Sequence, residues 1–187
     1  MRKVLFIALL VLGCGSWVFA QDYSKGEFYG GYQYLHIDTG NTGVDNSWPA
    51  GFSLDGTYYF TKNIGLTADF GYNKHDYSGG TNAHIYEFLF GPRFKARFGK
   101  LEPFADAGFG VSHGGVKTGS SSTTLTANAF TMAVGGGLDV GVAKHFAVRL
   151  GEFHYVYTRF ATGSATFNPN GSDSQNNFAF GAGIVIR

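Results

Sequence analysis

The feature that most constrains the fold is a two-residue alternation of apolar side chains with polar or small ones. Its longest example lies between Ala133 and Phe160, where two alternating runs are joined by a tight polar turn. One face carries Val134, Leu138, Val140, Phe146, Val148 and Leu150, and the other carries Gly135, Gly137, Asp139 and Arg149. Because successive side chains of a β-strand point to opposite faces, this pattern predicts a β-hairpin.

Similar runs predict eight strands, at about residues 26–37, 50–60, 64–73, 83–97, 103–112, 127–141, 145–158 and 175–187. Long polar connections at 38–49, 74–81, 113–126 and 159–174 alternate with short turns. Strands of ~9–11 residues or slightly more, joined in this way, are typical of membrane β-barrels. The sequence therefore predicts an all-β fold, an eight-stranded antiparallel up-and-down transmembrane β-barrel. Its short turns and both termini lie on the periplasmic side.

Alternation alone also fits a soluble lipocalin-like barrel, which is nearly a membrane barrel turned inside out. Composition favours the membrane, because Phe and Tyr crowd the apolar face and glycine, which suits a narrow interior, is frequent on the polar face. Aromatic residues also end the strands toward the long loops, where they are expected to form an interfacial girdle. They are Tyr34, Phe52, Tyr72, Tyr86, Phe130, Tyr157 and Phe178. There is no run of ~18 apolar residues for a spanning helix, so the strands must close on themselves.

The first 20 residues have the pattern of an export signal. Arg2 and Lys3 precede a short apolar segment, Val4–Leu12, and Val18-Phe19-Ala20 offers a cleavage site. We therefore expect a cleaved signal peptide at 1–20 and the barrel domain at 21–187. An alternative is lipoprotein processing at Cys14, because Val11-Leu12-Gly13-Cys14 is a loose lipobox.

Charge and cysteine content exclude several classes of function. The sequence has 14 Lys and Arg and 13 Asp and Glu residues, so loss of Arg2 and Lys3 leaves 12 against 13, a net charge of −1. This balance gives no support to nucleic-acid binding. The only cysteine, Cys14, would leave with the signal, which excludes disulfides and zinc-thiolate sites. The six histidines have no metal-ligand spacing, and we expect no cofactor.

The polar face of the predicted strands is also charged. It carries Asp55, Asp69, Glu87, Asp106, Asp139 and Glu152 together with Arg93, Lys95, Arg97 and Arg149. Because buried charges need partners, we expect an ion-pair network in the lumen, built on Asp55, Asp69, Glu87, Arg93, Asp106, Asp139, Arg149 and Glu152. The network is expected to be structural. Alternatively, it gates a narrow path for ions or small solutes.

Two irregularities are predicted in the strands. Arg149 lies in one phase of its strand, and Glu152 and His154 lie in the other. A charge at the bilayer midplane costs ~2–4 kcal/mol for Arg, so a one-residue bulge at Gly151 should bring all three inside. Pro92 lacks an amide proton and should mark a bulge or a gap in its ladder.

The sequence offers little for catalysis. Ser112 and His113 are adjacent, so on an ordinary strand they point to opposite faces and cannot form a nucleophile–base pair. We expect no enzyme, and a lipid-modifying activity is only a minor alternative.

Three segments carry a resemblance to a known family: residues 133–160, Phe90-Gly91-Pro92-Arg93 and Pro103-Phe104-Ala105. With them, the mature sequence resembles the OmpA-type outer-membrane β-barrel domain family of small porin-like and opacity-like proteins. Two departures are His154, where this group has Asp as an acidic partner for Arg149, and Arg187, where barrel-insertion signals end in Phe.

The resemblance implies an integral protein of a bacterial outer membrane, surrounded by membrane lipid and lipopolysaccharide and inserted by the barrel-assembly machinery. We expect a monomer with a structural or surface-interaction role. Its extracellular loops are rich in Gly, Ser, Thr and Asn, which favours mobile display and contact with an extracellular ligand. The alternative function is the narrow pore described above.

Overall fold

The computed structural model describes residues 23–38, 47–77, 80–117, 124–160 and 174–187. The predicted signal peptide, Cys14 and much of the predicted long loops lie outside these residues. The strands are β1 Gly26–His36, β2 Ser47–Trp48, β3 Ala50–Tyr59, β4 Ile64–Tyr77, β5 Thr81–Lys95, β6 Leu101–Lys117, β7 Thr124–Ala143, β8 Phe146–Phe160 and β9 Ser174–Ile186. The described residues include no helix long and apolar enough to cross a membrane.

The strands form one closed antiparallel barrel. Each long strand pairs with the next along the chain, and β1 pairs with β9 from Phe28↔Ile186 to His36↔Phe178. The two-residue β2 is an addition at the loop end of β1, where Trp48 pairs with Leu35. Apart from β2, the barrel therefore has eight strands, as the sequence predicts. Its first and last strands, β1 and β9, are hydrogen-bonded to each other.

Apolar and charged side chains take opposite sides of this barrel. Phe88 is 54% exposed on the outside, whereas Glu87 is 3% exposed and Asp139 is 0% exposed in the interior. Phe70 lies outside but is partly covered, because its ring stands 4.9 Å from that of Phe88. The prediction that aromatic rings face outward and ionised groups face inward is confirmed. In β1, Tyr29 also lies inside, although it interrupts the polar face.

The strands are longer at the loop end than the sequence predicts. β4 and β5 pair as far as Tyr77↔Thr81, and β6 and β7 pair as far as Lys117↔Thr124. The loops predicted at 74–81 and 113–126 are therefore largely hairpin. Their inner faces hold apolar side chains such as Ile85 that pack together, and this burial stabilises the extra length.

Pro92 produces a gap and not a bulge. Between β5 and β6 the pairs Phe90↔Phe109 and Arg93↔Asp106 share one register, with no pairing recorded for Pro92. On its other side Pro92 remains paired with Leu66. The missing amide proton therefore interrupts one ladder without changing which side chains face the lumen.

The predicted bulge in β8 is present. Asp139 pairs with Arg149 and Leu138 with Gly151, so Leu150 is the extra residue. Leu150 is 61% exposed on the outside and Arg149 is 1% exposed inside. Glu152 lies on the inner face as well, where it bonds to Arg149. One inserted residue therefore keeps Arg149 and Glu152 both on the inner face.

Deletion of Leu150 is expected to leave the barrel folded, because the strand then continues as a regular ladder with Arg149 and Glu152 still inside. Deletion of Phe153, another outward apolar residue, is the matched control. It must either turn Glu152 toward lipid or reverse the faces of residues 154–160. We expect it to lower the free energy of unfolding by about 2 kcal/mol or more.

The measurement is urea unfolding in detergent micelles, followed by the fluorescence of Trp48, since Trp17 belongs to the predicted signal peptide. Equal midpoints for the two deletions would show that the bulge does not set the phase of β8.

Candidate functional site: the barrel lumen

Arg149 is the centre of the ion pairs in the lumen. Its Nη1 donates to Asp55 Oδ2 at 2.8 Å and to Glu152 Oε2 at 2.7 Å, and its Nε donates to Asp139 Oδ1 at 2.8 Å. Its guanidinium carbon also lies 4.2 Å from the ring centre of Phe104. Three strands, β3, β7 and β8, are thus joined through one side chain.

Asp55 links this cluster to a second arginine. Its Oδ1 accepts from Arg93 Nη1 at 2.8 Å, while Arg93 Nε donates to Asp106 Oδ2 at 2.8 Å. Asp106 in turn lies 2.7 Å from Nε2 of His154 through its other oxygen. The two arginines therefore share one carboxylate, and the cluster continues from β3 through β5 to β6 and β8.

Toward the short turns the network continues through residues outside the predicted site. Lys95 donates to Asp139 at 2.8 Å and also to Glu27. Glu102 pairs with Arg187, whose Nε lies 3.5 Å from Glu27 Oε1. Sequence reasoning missed Glu102 by placing it in a turn. The available signal was its spacing of two from the inward-facing Phe104.

The structure corrects two expectations about partners. Arg149 has three carboxylates around it, so His154 does not deprive it of a partner. Six of the eight predicted site residues form one network, but Asp69 and Glu87 do not join it. Among the described residues, neither has a basic nitrogen within 4.0 Å.

Asp69 and Glu87 instead line a cavity of about 40 Å³ in the middle of the barrel. Glu87 accepts a hydrogen bond from Ser112 Oγ at 3.4 Å. The other lining residues are Gln33, Thr67, Leu89, Phe90, Arg93, Asp106, Gly108, Ala133, His154, Val156 and Ala179. The cavity therefore holds two carboxylates without a basic partner, beside Arg93, whose guanidinium is bonded to Asp55 and Asp106.

Above the cavity, on the loop side, apolar side chains enter the lumen beside buried polar ones such as Asn73 and Asn177. Leu35, Trp48 and Ile85 are buried together there, and we call their cluster the apolar cap; its other buried members are Ile37, Ala83, Ala133, Val156 and Ala179. Trp48 Nε1 donates to the hydroxyl of Tyr77 at 3.2 Å. In the described part of the barrel, the lumen is therefore filled by ion pairs below and by a mixture of apolar and uncharged polar side chains above.

The geometry does not support the other candidate chemistries in the described strands. Ser112 points inward and lies 2.6 Å from Thr131 Oγ1, whereas His113 points outward and lies 2.6 Å from Asn128 Oδ1. No group of three or more His, Cys, Asp or Glu side chains in this part of the chain is arranged to hold a metal.

Substitution of Arg149 by Met is expected to lower the free energy of unfolding by about 3–5 kcal/mol, because it leaves buried carboxylates without their cation. Lys74→Met is the matched control, since Lys74 pairs with Asp76 on the exposed surface. It should cost less than about 1 kcal/mol. Urea unfolding of both variants in micelles compares the two, and an Arg149→Met barrel as stable as the control would contradict this role.

Comparison with known proteins agrees with the observed architecture. The family model described as outer membrane protein beta-barrel domain matches residues 6–185. The Yersinia pestis attachment invasion locus protein Ail, solved with the heparin analogue sucrose octasulfate, is 20% identical with a TM-score of 0.56, over 87% of this chain and 99% of that chain.

Two further solved structures share the fold. Neisserial surface protein A is 13% identical with a TM-score of 0.61, over 87% of this chain and 97% of that chain. OprG from Pseudomonas aeruginosa is 11% identical with a TM-score of 0.54, over 86% of this chain and 94% of that chain. No curated protein sequence matches. Because the family model covers nearly the whole sequence and the barrel has its eight strands, the chain belongs to the outer membrane protein β-barrel domain family.

Proposed function

We propose that this protein is a structural barrel that presents its extracellular loops for surface interactions, and that it is not an open pore or an enzyme. The observation that carries the proposal is the filling of the lumen. Ion pairs occupy the periplasmic half, the apolar cap and buried polar side chains such as Asn73 and Asn177 occupy the loop half, and the cavity between them measures about 40 Å³. A water needs ~10–15 Å³ of such volume, so the cavity has room for only a few waters.

The hairpin extensions support the surface role. β4–β5 and β6–β7 continue past the outward-facing Tyr72 and Tyr86, whose rings are 4.9 Å apart. Beyond these rings the outer face turns polar, with Lys74 and Lys117 on neighbouring hairpins. Rigid strands that carry loops away from a membrane are a suitable base for binding.

Several further expectations belong to this proposal. Residues 1–20 act as a cleaved signal peptide, the barrel-assembly machinery inserts residues 21–187, and the barrel is monomeric. The β1–β9 seam supports a monomer, since a closed barrel leaves no free sheet edge for a second copy. The opposite directions of Ser112 and His113 support the absence of a nucleophile–base pair at these two residues.

The first ligand to test is suggested by one of the structurally similar proteins. Ail was solved with a heparin analogue, and the exposed outer face here carries Lys74 and Lys117. We propose that the loop end binds a sulfated saccharide, with these lysines as contacts.

Replacement of residues 115–126 by Asn-Gly joins Gly114 to Ala127 through a tight turn and removes the β6–β7 extension. We expect retention of this variant on heparin-agarose to fall at least about tenfold. Retention of the double variant Lys74→Gln, Lys117→Gln should fall as well. Retention of the double variant Lys62→Gln, Lys100→Gln, whose substitutions lie at the short turns, should not change. Absence of retention of the unaltered barrel would refute the saccharide ligand, and equal retention of all variants would refute binding through this hairpin.

Planar-bilayer recording tests the closed lumen. We expect no conductance above background from the unaltered barrel, because both halves of the lumen are filled. Conductance that is lost on substitution of Glu87 or Arg149 would favour the gated pore over the structural role.

A further inference from the structure

The charges of the lumen do not balance. Below and around the cavity, the described residues provide eight carboxylates, those of Glu27, Asp55, Asp69, Glu87, Glu102, Asp106, Asp139 and Glu152. The basic side chains paired with them are Arg93, Lys95, Arg97, Arg149 and Arg187, and His154 pairs with Asp106. Even if His154 carries a proton, two negative charges remain. Uncompensated charges in a low-dielectric interior are costly, so something must offset them.

The surplus lies at one place. Asp69 and Glu87 both line the central cavity, and within the described strands neither has a basic partner. Asp69 stands directly across from Asp55 in the β3–β4 pairing, but Asp55 forms its ion pairs with Arg93 and Arg149. The two uncompensated carboxylates therefore line the same small cavity.

A third oxygen points to a ligand in the same cavity. Gln33 is 7% exposed and lines the cavity, and its Oε1 is buried without a hydrogen-bond donor. This oxygen and Glu87 Oε2 both lie over Gly71, where an added Cβ would stand 3.1 Å from the first, 3.4 Å from the second and 3.5 Å from Gln33 Nε2. The absence of a side chain at Gly71 thus allows the Gln33 amide and the Glu87 carboxylate to approach each other.

A carboxylate and an amide oxygen accept hydrogen bonds but cannot donate to each other. Carboxylate and amide oxygens suit hard cations, and Mg²⁺ in particular keeps several waters and uses one or two carboxylates. The volume of about 40 Å³ leaves room for such waters. In this part of the chain no three His, Cys, Asp or Glu side chains converge, so the protein alone does not complete a coordination shell.

We propose that the central cavity binds one partly hydrated alkaline-earth cation, held by the carboxylates of Asp69 and Glu87, by Gln33 Oε1 and by water. A divalent cation offsets the two surplus charges. His154 is directed to Asp106 and is not a ligand. Because side chains fill the lumen on both sides, the cation enters during folding and exchanges slowly afterwards.

The test uses barrel refolded in detergent without lipopolysaccharide, in CaCl₂, MgCl₂ or EDTA. After gel filtration in metal-free buffer, mass spectrometry of the elements counts bound metal. We expect about one ion per chain, and a higher thermal midpoint after refolding with metal than with EDTA. Glu87→Gln and Asp69→Asn should lower the affinity at least about 10-fold. Asp76→Asn, which removes an exposed carboxylate paired with Lys74, is the matched control and should retain the ion.

Gly71→Ala tests the site without changing charge, because its methyl group occupies the space between Gln33 and Glu87. It should fold in EDTA and bind less metal. If Gly71→Ala does not fold, the Glu87→Gln variant provides the test. It should bind no ion, and its thermal midpoint should not depend on metal. The proposal would be overturned if the unaltered barrel held no metal and had the same thermal midpoint after refolding with metal as with EDTA. That result would show that protons neutralise the carboxylates. Equal metal in Glu87→Gln and the unaltered barrel would overturn it as well.

Discussion

The structure depends on keeping ionised groups out of hydrocarbon. A strand that crosses a bilayer presents every second side chain to lipid, where a charge is costly, so charges must occupy the inner face. That face has little water, and each charge needs a partner there. Arg149 meets this requirement by bonding to Asp55, Asp139 and Glu152 at once. The bulge at Leu150 follows from the same constraint, because it keeps Arg149 and Glu152 on one side of β8.

Much of the fold could be predicted because this constraint produces the two-residue alternation of apolar with polar or small side chains along each strand. The strand number, the closed topology, the outward rings and the bulge all follow from which residues alternate. The extension of β4 to Tyr77 and of β6 to Lys117 could not be predicted in the same way. Gly, Ser and Thr in these segments have loop composition, and the strands persist because residues distant in sequence, such as Leu35 and Ile85, pack together inside. Tertiary burial overrides local preference there.

The candidate site could be predicted in part, for a related reason. Period identifies which charged residues face inward, but it does not give their height along the barrel. Asp55 and Asp139 lie within reach of the long Arg149 side chain, whereas Glu87 lies nearer the loop end of β5 than Arg93 does. Partner choice depends on the stagger of neighbouring strands, which is fixed only when the barrel closes. For this reason Glu27 and Glu102, close to the short turns, join the network, although neither was in the predicted set.

The other residues of the cavity explain why basic side chains leave Asp69 and Glu87 unpaired. Arg93 and His154 line the cavity but are bonded to Asp55 and Asp106, and Gly108, Ala133 and Ala179 are too short to carry a charge across the lumen. These small side chains leave a cavity that larger ones would fill, and the carboxylates of Asp69 and Glu87 add negative charge to it. Neither property would follow from packing alone, since a larger residue at Ala133 or Ala179 could close the gap with apolar atoms. The ion pairs below the cavity compensate most of the buried charges of the lumen, whereas Asp69 and Glu87 are the carboxylates that the proposed cation would compensate.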